Sequence, residues 1–233
     1  MTVLICTTES SGVDRYSQEL ARLLPVNIVH TSRYGLGLRA YNLVRRLRQI
    51  HETVHFTNQH LGRFAVFCGL PFIMTVHDLD RISFSFSSHG LLERAGLKLD
   101  SVGVRKAAHI IAVSENTKRD LINHLGIPAS RITVVYNGVD HNVFKPNGGA
   151  HQGFPYMLYV GSERPRKNLG RLLTAFAELK RSCGFTNLKL VKVGDPGRHD
   201  SFRKHTLETV RRLALEGEVI FAGHLPDREL AAY

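Results

Sequence analysis

The chain has 233 residues, 43% of them hydrophobic, and a net charge of +11 from 31 Lys and Arg against 20 Asp and Glu. So much apolar material excludes an intrinsically disordered chain and is enough for one large domain or two small ones. The positive balance favours phosphate-bearing ligands, anionic membrane surfaces or polyanions, but the cations are scattered and no run forms a nucleic-acid arm. Cys6, Cys68 and Cys183 share no metal or redox spacing and read as reduced structural thiols. The N-terminus enters an apolar run, Val3 to Cys6, without a signal-peptide layout, and no apolar stretch reaches membrane-spanning length. A cytoplasmic protein is expected, with peripheral attachment to an anionic leaflet left open.

Strand and helix signals alternate from the first residues. Thr2 to Thr7 reads as a buried strand. Ser10-Ser11-Gly12 turns into a helix whose apolar face carries Tyr16, Leu20, Leu23 and Leu24, and Pro25 stops it. Val26 to His30 is a strand, Leu38 to Ile50 an arginine-rich helix, Thr53 to Phe56 a strand and His60 to Cys68 a short helix. Strand Phe72 to Val76 runs straight into His77-Asp78-Leu79-Asp80. Arg81 to Ser88 has no period and is expected to be a loop. Helix Leu91 to Lys106 and strand Ala108 to Val113 follow. Ser114 then caps a helix over Glu115 to Leu125, which Gly126-Ile127-Pro128 closes. Strand Ile132 to Tyr136 ends in a turn at Asn137-Gly138-Val139-Asp140.

Lys145 to Gly153, with Pro146, Gly148, Gly149 and Gly153, is the best linker, and the alternation restarts beyond it. Strands Tyr156 to Val160, Leu188 to Val193 and Val219 to Ala222 are separated by helices Leu169 to Lys180 and Ser201 to Leu215, and a further helix starts at Asp227. Strict alternation predicts α/β architecture with doubly wound parallel sheets, a first domain over 1–146 and a second, incomplete one over 147–233. Three strands would leave an edge exposed, so the chain is expected to be part of a longer protein.

Ligands of such sheets sit beyond the carboxyl ends of the strands, where Gly12, His77, Ser114 and Gly161 fall. The stretch Gly161 to Leu169 reads as strand end, basic loop and helix start. Arg166 and Lys167 would meet the positive end of the helix dipole and free backbone N–H groups, an anion site suited to a diphosphate. The plainer alternative is two solvated charges beside a turn. His77 is a candidate reacting-centre residue whose tautomer Asp78 could fix, or a core histidine at a strand end. Ser114 reads as a cap before an acceptor contact, and Gly12 as a turn or a close-approach glycine. His55, His60, His77, Asp78 and Asp80 show no recognised metal spacing, so no metal site is expected.

Four segments in order resemble one family. Tyr156 to Gly161 with Pro165-Arg166-Lys167-Asn168-Leu169 resembles the start of the C-terminal domain of the retaining family 4 glycosyltransferases, typified by glycogen synthases and bacterial mannosyltransferases. Gly12 to Tyr16 resembles the glycine-rich turn after the family's first strand. Thr75 to Leu79 resembles its His-Asp segment. Ile111 to Leu121 with Val135 to Asp140 resembles the end of its N-terminal domain. The resemblance implies a GT-B fold of two Rossmann-like domains and a nucleotide-diphospho-sugar donor in the interdomain cleft. It also implies hexosyl transfer with retention, to a carbohydrate or lipid-linked acceptor, without metal or other cofactor. By the same token Gly12, Gly161, Arg166 and Lys167 would bind the donor diphosphate and His77 would be catalytic, touching the donor sugar. Ser114 and Asp78 are candidates for acceptor contacts.

The chain departs from the pattern at Ser11 and Asp14, where the family has glycines; an acid there is unfavourable beside a diphosphate unless it turns away or pairs with Arg15. Glu208 and Glu216 have the spacing of the family's paired glutamates but sit at a surface helix before Val219, so the real pair is expected beyond Tyr233 and this chain alone is expected to have little activity. A non-catalytic phosphate-ligand or nucleic-acid binding module and a GT-B nucleotide-sugar epimerase are the competing readings.

Overall fold

The computed structural model describes residues 2–7, 12–32, 38–83, 90–146, 153–182, 184–197 and 200–233. Ser11, Cys183, most of the expected linker and the second half of the expected loop at 81–88 lie outside these residues. The chain divides into two units, Met1–Gly138 and Val139–Tyr233.

In the first unit six strands form one parallel sheet: β1 (Thr2–Thr7), β2 (Val26–Thr31), β3 (Thr53–Phe56), β4 (Phe72–Val76), β5 (His109–Ala112) and β6 (Ile132–Val134). Their order is β2-β1-β3-β4-β5-β6. The chain therefore winds one way from β1 to β2 and the other way from β3 onward. This reversal at the β1–β3 pair opens a crevice at their carboxyl ends, the usual place for a ligand in such sheets. The intervening helices are α1 (Gly12–Leu23), α2 (Leu38–Leu47), α3 (Gly62–Ala65), α4 (Asp80–Ser83), α5 (Leu91–Lys106) and α6 (Glu115–Leu125). Apolar strand residues such as Ile5, Phe56, Met74 and Ile110 fill the core. Helices α3 and α5 touch through glycines: a Cβ on Gly103 would stand 2.1 Å from the Gly62 carbonyl oxygen, so only glycine allows the approach.

In the second unit β7 (Tyr156–Val160), β8 (Lys189–Val193) and β9 (Val219–Gly223) form a parallel sheet in that order, with α7 (Leu169–Ser182), α8 (Asp200–Arg212) and α9 (Asp227–Ala232). Leu173 and Phe176 of α7 and Val210 of α8 bury one sheet face around Leu190. On the opposite face Leu158, Val160 and Ile220 remain exposed beside buried Val191 and Val193. Half of a doubly wound architecture is thus in place around this sheet.

Several expectations need correcting. Helix α1 buries Asp14 and Ser17, while Leu23 of its expected apolar face is 70% exposed, because polar partners at the strand ends outcompete apolar packing there. The stretch expected to be one helix over 60–68 is a 3-10 turn, Gln59–Leu61, followed by α3; Asn58 caps the turn by accepting from the His60 N–H at 2.9 Å. The expected loop at Arg81 begins as helix α4, since the Asp78 carboxylate accepts from the Asp80 N–H at 3.3 Å. The chain turns at His141–Val143 rather than at Asn137–Asp140, with Asp140 accepting from the Asn142 N–H at 2.8 Å.

Candidate functional site

In the first unit the carboxyl ends of β1, β3 and β4 carry a buried polar network. The Thr7 hydroxyl donates to Asp14, and the Asn58 amide donates to Thr7 at 3.3 Å. The acid at the position of a family glycine is thus turned inward and engaged by Thr7. The Ser17 hydroxyl donates to Thr57 at 2.7 Å, and Thr57 donates to the Ile5 carbonyl at 3.1 Å. Beneath them His55 Nε2 lies 2.8 Å from Thr75 Oγ1, and burial pushes the His55 pKa down to about 4.

His77 stands at the end of β4 against this network. Its backbone N–H donates to Gln59 Oε1 at 3.2 Å, and its Nε2 lies 3.0 Å from the Thr57 carbonyl oxygen. A carbonyl only accepts, so Nε2 carries the proton and Nδ1 the lone pair. The tautomer is therefore set by Thr57, not by Asp78, whose carboxylate is turned to α4. The Tyr16 ring meets the imidazole edge-on at 4.9 Å and 84°. Burial lowers the His77 pKa, opposed by the Thr57 hydrogen bond and the charge of Asp78.

Ser114 caps α6, as expected, by accepting from the Thr117 N–H at 3.0 Å. The Thr117 hydroxyl donates to the His77 carbonyl at 3.1 Å, so Ser114 donates in turn to Thr117 across 3.0 Å. Ser114, Thr117, His77 and Asp78 thus form one neighbourhood. Gly12 opens α1, and a Cβ there would meet nothing within 4 Å, so no contact among the described residues demands glycine. At the sheet edge a cleft of about 570 Å³ lies between β2 and α2, lined by His30, Ser32, Asn42, Arg45 and Arg46 among others.

In the second unit, β7 ends at Val160, and the N–H of Gly161 just beyond it continues the ladder to the Val193 carbonyl at 2.9 Å. A 3-10 turn over Pro165–Lys167 then presents Arg166 and Lys167, both exposed, and Asn168 in the left-handed region (φ 54) redirects the chain into α7. The turn N–H groups of Glu163, Lys167 and Asn168 are all given to carbonyls, those of Pro196, Arg164 and Pro165. The attraction for an anion therefore rests on the two side chains rather than on these amides. Gly194 closes the same end of the sheet with φ 109, and a Cβ there would stand 2.9 Å from the Gly161 carbonyl oxygen.

Sequence reasoning missed what lies behind this turn. Glu163 and Lys192 have fully buried side chains, with Lys192 Nζ 3.1 Å from Glu163 Oε1 and Arg203 Nη2 2.8 Å from the same oxygen. The Lys192 ammonium also donates to the Gly194 carbonyl, and the Arg203 guanidinium lies 4.5 Å from the Phe221 ring centroid. Burial pulls the Lys192 pKa down, and the Glu163 pairing opposes it. A lysine inside the apolar run of β8 and a lone glutamate in a basic loop were the available signals. Among the described residues no group of three or more His, Cys, Asp or Glu could hold a metal ion, and no helix is long and apolar enough to cross a membrane. Glu208 lies on α8 and Glu216 beyond its end, so the two do not share one helix.

Two parallel α/β units of this kind are the architecture of the GT-B fold, which the similar solved structures share. An Anabaena protein, Alr3699/HepE, in complex with UDP matches 99% of this chain and 71% of its own at TM-score 0.73 and 17% identity. A trehalose-phosphate synthase from Burkholderia vietnamiensis matches 98% and 74% at TM-score 0.67 and 12% identity. Residues 1–143 match the model for Glycosyltransferase Family 4, and residues 140–233 that for Glycosyl transferases group 1. The chain belongs to glycosyltransferase family 4. A D-inositol 3-phosphate glycosyltransferase of Kineococcus radiotolerans is 29% identical over 176 residues, 70% of this chain and 40% of that protein. A glycogen synthase of Mycobacterium tuberculosis is 26% identical over 211 residues, 86% and 48%. The chain thus spans about half or less of the curated relatives it matches.

Proposed function

We propose that the chain supplies the acceptor-side domain, 1–146, and the diphosphate-binding start of the donor domain, 147–233, of a retaining hexosyltransferase. The donor is a nucleotide-diphospho-sugar. The observation that carries this reading is the exposed Arg166–Lys167 pair on the turn between β7 and α7. In such a transfer the bond from the anomeric carbon to the diphosphate breaks and an acceptor hydroxyl forms the new bond on the same face. Negative charge grows on the departing diphosphate. Arg166 and Lys167 stabilise it where no metal takes part; losing one such donor costs about 3–4 kcal/mol in the barrier.

Gly12 admits the phosphates close to the turn after β1, and Gly161 gives the turn after β7 its path. His77, neutral and fixed by Thr57, offers Nδ1 to a donor-sugar hydroxyl. Asp78 and Ser114 lie beside it on the acceptor side, and Arg45 and Arg46 in the cleft beside α2 suit an acidic acceptor. The acceptor is a carbohydrate or a lipid-linked sugar, and the protein works in the cytoplasm, attached peripherally to the inner membrane face. The 233 residues alone turn over little nucleotide sugar, and appreciable turnover would contradict that part.

A thermal-shift comparison tests the reading. Nucleoside diphosphates and nucleotide sugars raise Tm in proportion to RT ln(1 + [L]/Kd), whereas uridine and duplex DNA do not. Stabilisation by duplex DNA alone would instead favour a nucleic-acid binding module.

A further inference from the structure

Helix α5 turns one face inward and, among the described residues, leaves the other uncovered. Gly96, Leu97, Asp100, Gly103 and Val104 are buried. On the outside, Leu91 and Leu92 are 85% and 88% exposed, Leu99 45% and Val102 40%. Leu92, Leu99 and Val102 recur at intervals that bring them to one side of a helix turning about 100° per residue. Arg94 and Lys98 are exposed too, and the same geometry places them in a strip beside the apolar one; Arg105 continues that strip, with its Nε donating to the Leu125 carbonyl at 3.1 Å. The two acids of the helix are spent elsewhere: Glu93 pairs with Arg81, and Asp100 is buried and takes Arg63 at 2.6 Å. The outer face therefore combines an apolar strip, a cationic strip and no unengaged acid.

We propose that this face of α5 docks the protein on an anionic bilayer surface, with Leu92, Leu99 and Val102 entering the interface and Arg94, Lys98 and Arg105 contacting lipid phosphates. Adjacent apolar and cationic strips on a helix too short and too charged to span a bilayer are what an interfacial helix needs. Large exposed leucines in one patch mark an interaction surface. The charge decides between occupants. A second copy joined through a two-fold contact at this face would bring cationic strips together, whereas an anionic leaflet complements them. The net charge of +11 acts in the same direction. The inference rests on the peripheral attachment proposed above and is independent of the donor chemistry.

The test is flotation of the full chain with phosphatidylcholine vesicles, with and without phosphatidylglycerol. Binding is expected only with the anionic lipid and weakens with salt. Arg94→Gln/Lys98→Gln lowers the partition about thirtyfold, taking about 1 kcal/mol per cation near the surface, and Leu92→Ser/Leu99→Ser lowers it at least about tenfold. Circular dichroism confirms that these surface variants stay folded. No binding to anionic vesicles overturns both the attachment and the docking face. Binding that neither double variant changes overturns the face alone. A dimer in light scattering that Leu92→Ser/Leu99→Ser abolishes overturns it in favour of a second copy.

Discussion

Nε2 of His77, just past the end of β4, lies 3.0 Å from the carbonyl oxygen of Thr57, just past the end of the neighbouring β3. That contact fixes the proton on Nε2, and burial keeps the ring neutral. At neutral pH, nitrogen NMR is expected to show the Nε2–H tautomer, with a midpoint below the ordinary histidine value of about 6.5. A ring that titrates above that value would contradict the assignment.

His55 gives the protein an acid sensitivity of definite sign. Its folded pKa of about 4 lies below the unfolded value of 6.5. Above 6.5 both states are neutral and the stability is fully present. As pH falls toward 4 the unfolded chain takes up a proton that the folded one refuses, and stability is lost. The shift corresponds to about 3 kcal/mol. Urea unfolding at pH 7.5 and pH 4.5 measures the loss, and His55→Gln should show a much smaller dependence.

Gly12 and Gly194 separate structural from ligand-related glycines. Gly194→Ala has to place a Cβ 2.9 Å from the Gly161 carbonyl oxygen at φ 109 and should lose at least about 1–3 kcal/mol. Gly12→Ala meets nothing among the described residues and should keep its unfolding free energy to within about 1 kcal/mol. If the diphosphate approaches this turn, Gly12→Ala nevertheless weakens UDP binding. Unchanged binding removes the close-approach role.

Glu163 is the counter-charge for two cations behind the Pro165–Lys167 turn. Glu163→Gln leaves Lys192 buried without its carboxylate and should destabilise the protein by about 3–5 kcal/mol. Glu163→Gln/Lys192→Met, which removes both charges, should recover part of that loss in thermal unfolding. Additive losses would show that the pair is not coupled.

The strands, the long helices and their alternation could be read from the sequence because apolar runs and caps are local signals: Ser114 and Gly126 bound α6 as expected. The basic turn was legible for the same reason, since Pro165 and Asn168 bracket Arg166 and Lys167. The burial of Asp14, Ser17, Glu163 and Lys192 was not, because their partners arrive from other strands and helices. The setting of His77 was misread for a related reason. The adjacent Asp78 is near in sequence, but a parallel sheet brings Thr57 nearer in space.

The most direct test of the donor site is calorimetric titration of UDP and of inorganic pyrophosphate into the wild-type chain and into Arg166→Ala/Lys167→Ala. Each lost contact to a charged group is worth about 1.5–3 kcal/mol, so the double variant should bind at least about a hundredfold more weakly. Undiminished binding by the double variant, or none by the wild type, would contradict the assignment of this turn as the diphosphate clamp.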